Sequence, residues 1–265
     1  MRSSKSLFAS LLLTASFAAQ AESLNILRVT PSGDDVQDTR QVVIAFDRAV
    51  VPLGRMERDA AEVPVTISPA IRCDWRWLDP ATLACNIPSG EKLRLASRYE
   101  IDIRPEFVTE QGEKLERGQT VRFTTERPVL RYSRVSDWDG PGQPVIYARF
   151  SQPVTAASIA AAFRLGSVAL QAQADPDDRD MPFWTPQGEA REQWLLRPSK
   201  PLPLDSAQRV WLSPGLESAY GSATGIEDRE IEALHTFPAL RLLGVSCLRN
   251  AAPGVQPEWG LVGKG

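Results

Sequence analysis

Residues 73–87 read Cys73-Asp74-Trp75-Arg76-Trp77-Leu78-Asp79-Pro80-Ala81-Thr82-Leu83-Ala84-Cys85-Asn86-Ile87. Cys73, Trp75 and Trp77 share one face of a strand, because successive strand residues point to opposite sides. Asp79-Pro80-Ala81-Thr82 places Pro at the second position of a type I turn. Leu83 to Ile87 is then the returning strand, and Cys73 faces Cys85 across the hairpin within a residue or two of register. In an exported protein such a pair is most simply a disulfide. No Cys-x-x-Cys redox motif is present. Trp75 and Trp77 are expected in a core between two sheets. The alternative is an exposed aromatic platform for sugar or peptide. Trp138, Trp184, Trp194, Trp211 and Trp259 follow no regular spacing.

On either side of this hairpin the chain carries strand signals. Gln41–Phe46, Pro64–Ile67, Tyr99–Ile103 and Thr120–Thr124 are β-branched or aromatic runs bounded by Pro, Gly, Asp and Ser. The chain holds 21 Pro residues, which helix interiors exclude. One helix is expected, over Ala156–Phe163, where Ala160, Ala161 and Ala162 are strong helix formers.

The order of segments repeats. Leu27–Thr30 followed by Val42–Val50 corresponds to Tyr132–Val135 followed by Val145–Val154. A Phe-(Asp/Ser)-x-(Ala/Pro)-Val string stands at Phe46–Val50 and again at Phe150–Val154. Tyr99–Glu106 corresponds to Val210–Leu216, and each is followed by a polar Gly-containing loop, Thr109–Gly112 and Ser218–Gly225. Phe123-Thr124-Thr125 before Pro128 corresponds to Leu234-His235-Thr236-Phe237-Pro238. A period of about 105–112 residues is a domain repeat, not a solenoid unit, and suits an immunoglobulin-like sandwich of seven or so strands. The fold expected is all-β, with two tandem immunoglobulin-like sandwiches over 24–127 and 128–238 and an incomplete third unit over 239–265. One larger all-β domain is the competing reading.

The 265 residues include 30 Lys+Arg, 33 Asp+Glu, one His and three Cys. That length allows about two domains. A net charge of -3 provides no basic footprint for nucleic acid. One His rules out three-His zinc sites and leans away from an enzyme. Residues 1–21 place Arg2 and Lys5 before the apolar run Leu7–Ala18 and the small-x-small triplet Ala19-Gln20-Ala21. This is the order of a secretory signal peptide, cleaved between Ala21 and Glu22. The apolar run is shorter than the roughly 20 residues a membrane span needs. A soluble, exported, periplasmic protein without a transmembrane segment is expected.

The run from Val43 to Val50, Val65-Thr66-Ile67-Ser68-Pro69, Trp75 to Asp79, Thr82-Leu83, Leu93 and Tyr99-Glu100-Ile101 resembles the N-terminal immunoglobulin-like and macroglobulin domains of bacterial alpha-2-macroglobulins. The resemblance covers most of 24–249 and is shared in part by other bacterial immunoglobulin-like domains. It implies periplasmic trapping of proteases by a much longer chain, with proteases as partners. The family's Cys-x-Glu-Gln thioester is absent: Cys247-Leu248-Arg249-Asn250 lacks the Gln. A subgroup without thioester or lipid anchor fits better. Phe237–Leu248 reads as a strand opening a third domain, and the Gly-rich tail Gly260–Gly265 reads as completing none. A fragment or a short paralogue is therefore expected, with Cys247 the odd cysteine.

Candidate chemistry is sparse. His235 reads as a strand residue. The acidic loop Asp175-Pro176-Asp177-Asp178-Arg179-Asp180 has Asp180 and Pro186 where a calcium loop needs Gly and Glu. Asp34-Asp35 after Gly33 reads as a turn pair with no spaced carboxylate partner. No cofactor, metal or catalytic residue is assigned. Two functions follow: a scaffold portion of an alpha-2-macroglobulin-like endopeptidase inhibitor, not inhibitory alone, or an exported adhesion module for a glycan or another envelope protein.

Overall fold

The computed structural model describes residues 23–52, 54, 56–174, 190–247 and 259–264. The signal-peptide assignment at Ala21 and Glu22, and the acidic loop at 175–180, lie outside these residues. The described chain is all-β except for a 3-10 turn, Ala60–Glu62, and one short helix.

In the first half, strands β1 (Ile26–Thr30), β3 (Gln41–Phe46), β4 (Glu57–Arg58), β6 (Asp74–Asp79) and β7 (Thr82–Asn86) form a sheet ordered β1-β3-β7-β6-β4. Strands β2 (Gly33–Val36), β5 (Val65–Ser68), β8 (Arg98–Ile103) and β9 (Gln119–Thr125) form a second sheet, β2-β9-β8-β5. The second half has β10 (Leu130–Gly140), β11 (Gln143–Thr155), helix α1 (Ala156–Ala162), β12 (Phe163–Leu165), β13 (Val168–Ala174), β14 (Ala190–Pro198), β15 (Ala207–Leu212) and β16 (Arg229–His235). Its strand order is β10-β11-β14-β13-β12-β15-β16.

Lettered A to G in chain order, both halves follow one plan. Strands β1, β3, β7 and β6 are A, B, E and D, and β5, β8 and β9 are C, F and G. In the second half β10, β11, β14 and β13 are A, B, E and D, and β12, β15 and β16 are C, F and G. An A-B-E-D sheet over a C-F-G sheet is the constant-type immunoglobulin arrangement. The halves differ at one corner. Strands β12 and β13 make a tight hairpin through Gly166, whose φ is +56°, so the two sheets run into one. Between β5 and β6 the chain passes through Pro69–Cys73 without pairing, and the sheets stay separate. The sequence reads Gly33-Asp34-Asp35 as a turn, but it enters strand β2, which runs parallel to β9. Positive φ at Gly33 and Asp35 gives that strand its irregular register.

Two cores result. The first gathers Phe46, Trp75, Trp77, Tyr99, Phe107 and Phe123, with Phe46 5.0 Å from Phe107 and Tyr99 stacked on Phe123 at 5.1 Å. The second gathers Phe150, Ile159, Phe163, Trp194 and Leu216. Trp75 and Trp77 are 6% and 3% exposed, so they are core residues and not a platform. The hairpin forms with Trp75 opposite Cys85, and Cys73 and Cys85 are disulfide-bonded. Helix α1 begins where Thr155 Oγ1 accepts the Ser158 N–H at 3.2 Å, and stops where buried Phe163 takes strand geometry. The expected strand Val210–Leu216 ends at Leu212, and Leu216 is instead a buried loop residue.

The Phe-(Asp/Ser)-x-(Ala/Pro)-Val string has one task in both halves. Phe46 and Phe150, and Val50 and Val154, are buried. Between them, Asp47 Oδ1 accepts the Asn25 N–H at 3.0 Å and Ser151 Oγ accepts the Val129 N–H at 3.1 Å. Each side chain thus ties the chain entering strand A to strand B at the residue after its buried Phe. At the C-terminal end, β17 (Arg241–Cys247) pairs antiparallel with β18 (Trp259–Lys264). The segment read as a Gly-rich tail is therefore in strand conformation over 259–264, because pairing with β17 satisfies its backbone groups.

Breaking the Cys73–Cys85 disulfide by Cys73→Ala with Cys85→Ala should lower stability by about 3 kcal/mol, from the loop-closure entropy of a loop this short. Urea unfolding of the two proteins measures this.

Candidate functional site at the junction of the two sandwiches

The most elaborate arrangement in the molecule lies where strand F begins. In the first half the residue before β8 is Ser97, preceded by Ala96 in the left-handed region (φ +50°). Thr125, the last residue of β9, clamps this corner. Its Oγ1 donates to the Arg94 carbonyl at 2.7 Å and accepts the Ser97 N–H at 2.9 Å. The Ala96 N–H donates to the Glu126 carbonyl, and the Thr125 N–H to the Ser97 carbonyl, both at 3.0 Å.

The second half repeats this corner bond for bond. Asp205 is left-handed (φ +51°). Thr236 Oγ1 donates to the Pro203 carbonyl at 2.7 Å and accepts the Ser206 N–H at 3.0 Å. The Asp205 N–H donates to the Phe237 carbonyl at 3.1 Å, and the Thr236 N–H to the Ser206 carbonyl at 3.0 Å. Thr125 and Thr236 are both buried. The sequence repeat paired these segments but contained no sign that the two threonines carry the corner.

What differs is occupancy. On the first corner sits the loop between strands F and G of the second half, Ser218–Gly225. The Ala223 N–H donates to the Ala96 carbonyl at 2.7 Å. A Cβ on Gly221 would overlap that same carbonyl oxygen, and a Cβ on Gly225 would stand 2.7 Å from the Pro128 carbonyl. Only glycine lets the loop approach so closely. Gln152, which is buried, donates from Nε2 to the Glu126 carbonyl at 2.9 Å and accepts the Ser218 hydroxyl at 2.6 Å. Burial, and then the charge of Glu192, raises the Tyr220 hydroxyl above its ordinary pKa.

Arg127 braces the connecting segment. It bridges Asp34 at 2.9 Å and Asp35 at 2.8 Å, and its N–H reaches Asp35 Oδ1 at 3.1 Å. Hydrogen bonds from Thr124 and Arg127 hold the Asp34 carboxyl below the usual range. Across the boundary, Arg131 pairs with Glu126 at 2.6 Å, and within the second half the Leu130 N–H donates to Glu227 at 2.7 Å. Asp34-Asp35, read as an idle turn pair, is thus the anion that fixes the linker arginine.

His235 ends strand β16 and is exposed, with Nε2 3.1 Å from Asp205 Oδ1. The nearby Ser206 and Thr236 hydroxyls both donate to the Pro203 carbonyl, so neither is poised against the imidazole as a nucleophile. An open polar groove of about 590 Å³ lies along Glu57, Arg58, Asp59, Asp74 and Arg76. Among the described residues no group of three His, Cys, Asp or Glu side chains is close enough to hold a metal ion. No described helix is long and apolar enough to cross a membrane.

No family model matches this chain, and no curated protein matches it. Among solved structures, the S-layer protein rSbsC(31-844) is similar over 85% of this chain and 42% of its own, with 8% identity and a TM-score of 0.24. The chain spans less than half the length of that structure. A likeness so slight decides nothing about fold or function.

Two outcomes follow from this geometry. Gly221→Val should lift the F–G loop off Ala96 while leaving both cores folded. Scattering should then show a broader distribution of inter-half angles, and calorimetry should resolve two transitions where the parent has one. The second concerns Asp47 at the other end of the first sandwich. Burial works to raise its pKa, but bonds from Arg48 (3.1 Å) and Asn25 outweigh it and hold the carboxyl at about 2, against 3.8 ordinarily. A depressed carboxyl stabilises the fold above pH ~4, and that contribution is lost as pH falls toward ~2. Allowing for partial exposure, Asp47→Asn should cost about 1–2 kcal/mol at neutral pH and flatten the acid limb of the stability curve.

Proposed function

We propose that this chain is a non-catalytic scaffold, two immunoglobulin-like sandwiches keyed together in series at the N-terminal end of an exported alpha-2-macroglobulin-type endopeptidase inhibitor. The interlocked junction carries the reading: the Ser218–Gly225 loop seated on Ala96 fixes the angle between the halves. Inter-domain contacts are commonly loose, and a buried glutamine, two glycines with no room for a Cβ and a doubly paired arginine suit a part that holds others at a set distance. The resemblance of Phe46–Val50, Val65–Pro69 and Trp75–Leu83 to the first domains of that family supplies the class of assembly. The small-x-small triplet before Glu22 supplies export to the periplasm. Proteases are the partners of the assembly, and the scaffold does not trap them unaided.

The purified 22–265 protein should leave a broad-specificity protease fully active even in large molar excess. The DNA adjoining the reading frame should encode, in some frame, several further β-domains and a bait-like stretch. A clean intergenic region there, or stoichiometric inhibition by 22–265, removes this reading.

A further inference from the structure

The second corner is built like the first but is open. Asp205, Ser206 and Thr236 reproduce Ala96, Ser97 and Thr125 in backbone conformation and in every hydrogen bond of the clamp. Ala96 is fully buried by the loop that docks on it, whereas the side chains around Asp205 face solvent: Leu204 is 42% exposed, Phe237 44% and Leu240 87%. Trp138 packs edge-on against Phe237 at 4.7 Å and extends the same apolar rim. Among the described residues no N–H donates to the Asp205 carbonyl, the group equivalent to the Ala96 acceptor. Large exposed apolar side chains clustered around an unused backbone acceptor mark a contact surface.

The chain also leaves this corner as it leaves the first. Thr125 is followed by Glu126–Val129 and then strand β10, and Thr236 by Phe237–Leu240 and then strand β17. The connectors have the same length. Strand β10 pairs antiparallel with the next strand, β11, and β17 pairs antiparallel with the next strand, β18. The start of the second sandwich is thus repeated after the second corner.

We propose that the face made by Leu204, Asp205, Phe237 and Leu240 is the seat for the F–G loop of a third β-sandwich module, the one whose A and B strands are β17 and β18. The loop that fits is glycine-bearing, because the carbonyl at a left-handed corner admits no Cβ, as at Gly221. It donates a backbone N–H to the Asp205 carbonyl. It also presents a hydroxyl or a cation beside the Asp205 carboxylate, which stands where the first corner has the methyl of Ala96 and already lies 3.1 Å from His235 Nε2. The seat rests on the serial-sandwich part of the proposed function and not on its inhibitor class, so inhibition by 22–265 would remove the inhibitor class and leave this seat standing.

The test duplicates residues 129–239 in line within the full chain, between Ala239 and Leu240, so that the inserted copy faces the seat through a connector of natural length. The inserted copy is segmentally labelled with ¹⁵N and its amide exchange is followed by NMR, with the natural Ala223 amide measured in a second labelling. The expected result is that the inserted copy's Ala223 amide is as slow as the natural one, to within about tenfold. Leu204→Glu in the middle module should then speed it by about 100-fold or more, with the natural Ala223 amide unchanged. Rapid exchange of the inserted Ala223 amide while the inserted β15 amides remain slow overturns the proposal. So does indifference to Leu204→Glu, and so does an inserted copy that does not fold in series.

Discussion

A threonine hydroxyl at the end of strand G holds the molecule's two corners in place. Thr125 and Thr236 each join three backbone segments: their own strand, the start of strand F and the residue three positions before that start. The clamp forces Ala96 and Asp205 into left-handed conformation, which turns their carbonyls outward from the end of the sandwich. A buried hydroxyl that donates and accepts at once satisfies groups that no sheet ladder reaches. Replacing Thr125 would leave the buried Ser97 N–H without this partner, at about 1–3 kcal/mol. No described buried side-chain polar atom lacks a hydrogen bond, the two threonine hydroxyls included.

From that corner the asymmetry of the chain follows. The first seat is filled by a loop whose glycines remove the only atoms in the way, and the second presents the same backbone with apolar side chains around it. The Phe-(Asp/Ser)-x-(Ala/Pro)-Val string works at the opposite end of each sandwich, where Asp47 and Ser151 capture the chain entering strand A. On the proposed scaffold reading, position passes from one module to the next through these two ends.

Much of this was legible from residue pattern. The hairpin at 73–87, its disulfide, the burial of Trp75 and Trp77, the helix after Thr155 and the repeated Phe–Val string all depend on neighbours a few residues apart, or on a period of 2 set against turn residues. Strand β2 is not legible in the residues, because Gly33-Asp34-Asp35 carries every local mark of a turn. It becomes a strand only because β9 lies beside it and Arg127, 92 positions beyond Asp35, neutralises its charge. The strand at 259–264 is likewise hidden, because Gly has little strand preference until a partner supplies its hydrogen bonds.

That two similar β units follow one another is written in the residues alone, since strand period, turn chemistry and a repeated motif are local properties that survive being read in one dimension. The shared A-B-E-D and C-F-G arrangement, the common work of Thr125 and Thr236, and the place of Gly221 against Ala96 come from the folded chain. Those contacts join residues from 28 to more than 100 positions apart. Nothing in the local pattern singles out one threonine or one glycine from the others, because their roles come from the space and the unpaired backbone groups that the rest of the fold leaves beside them.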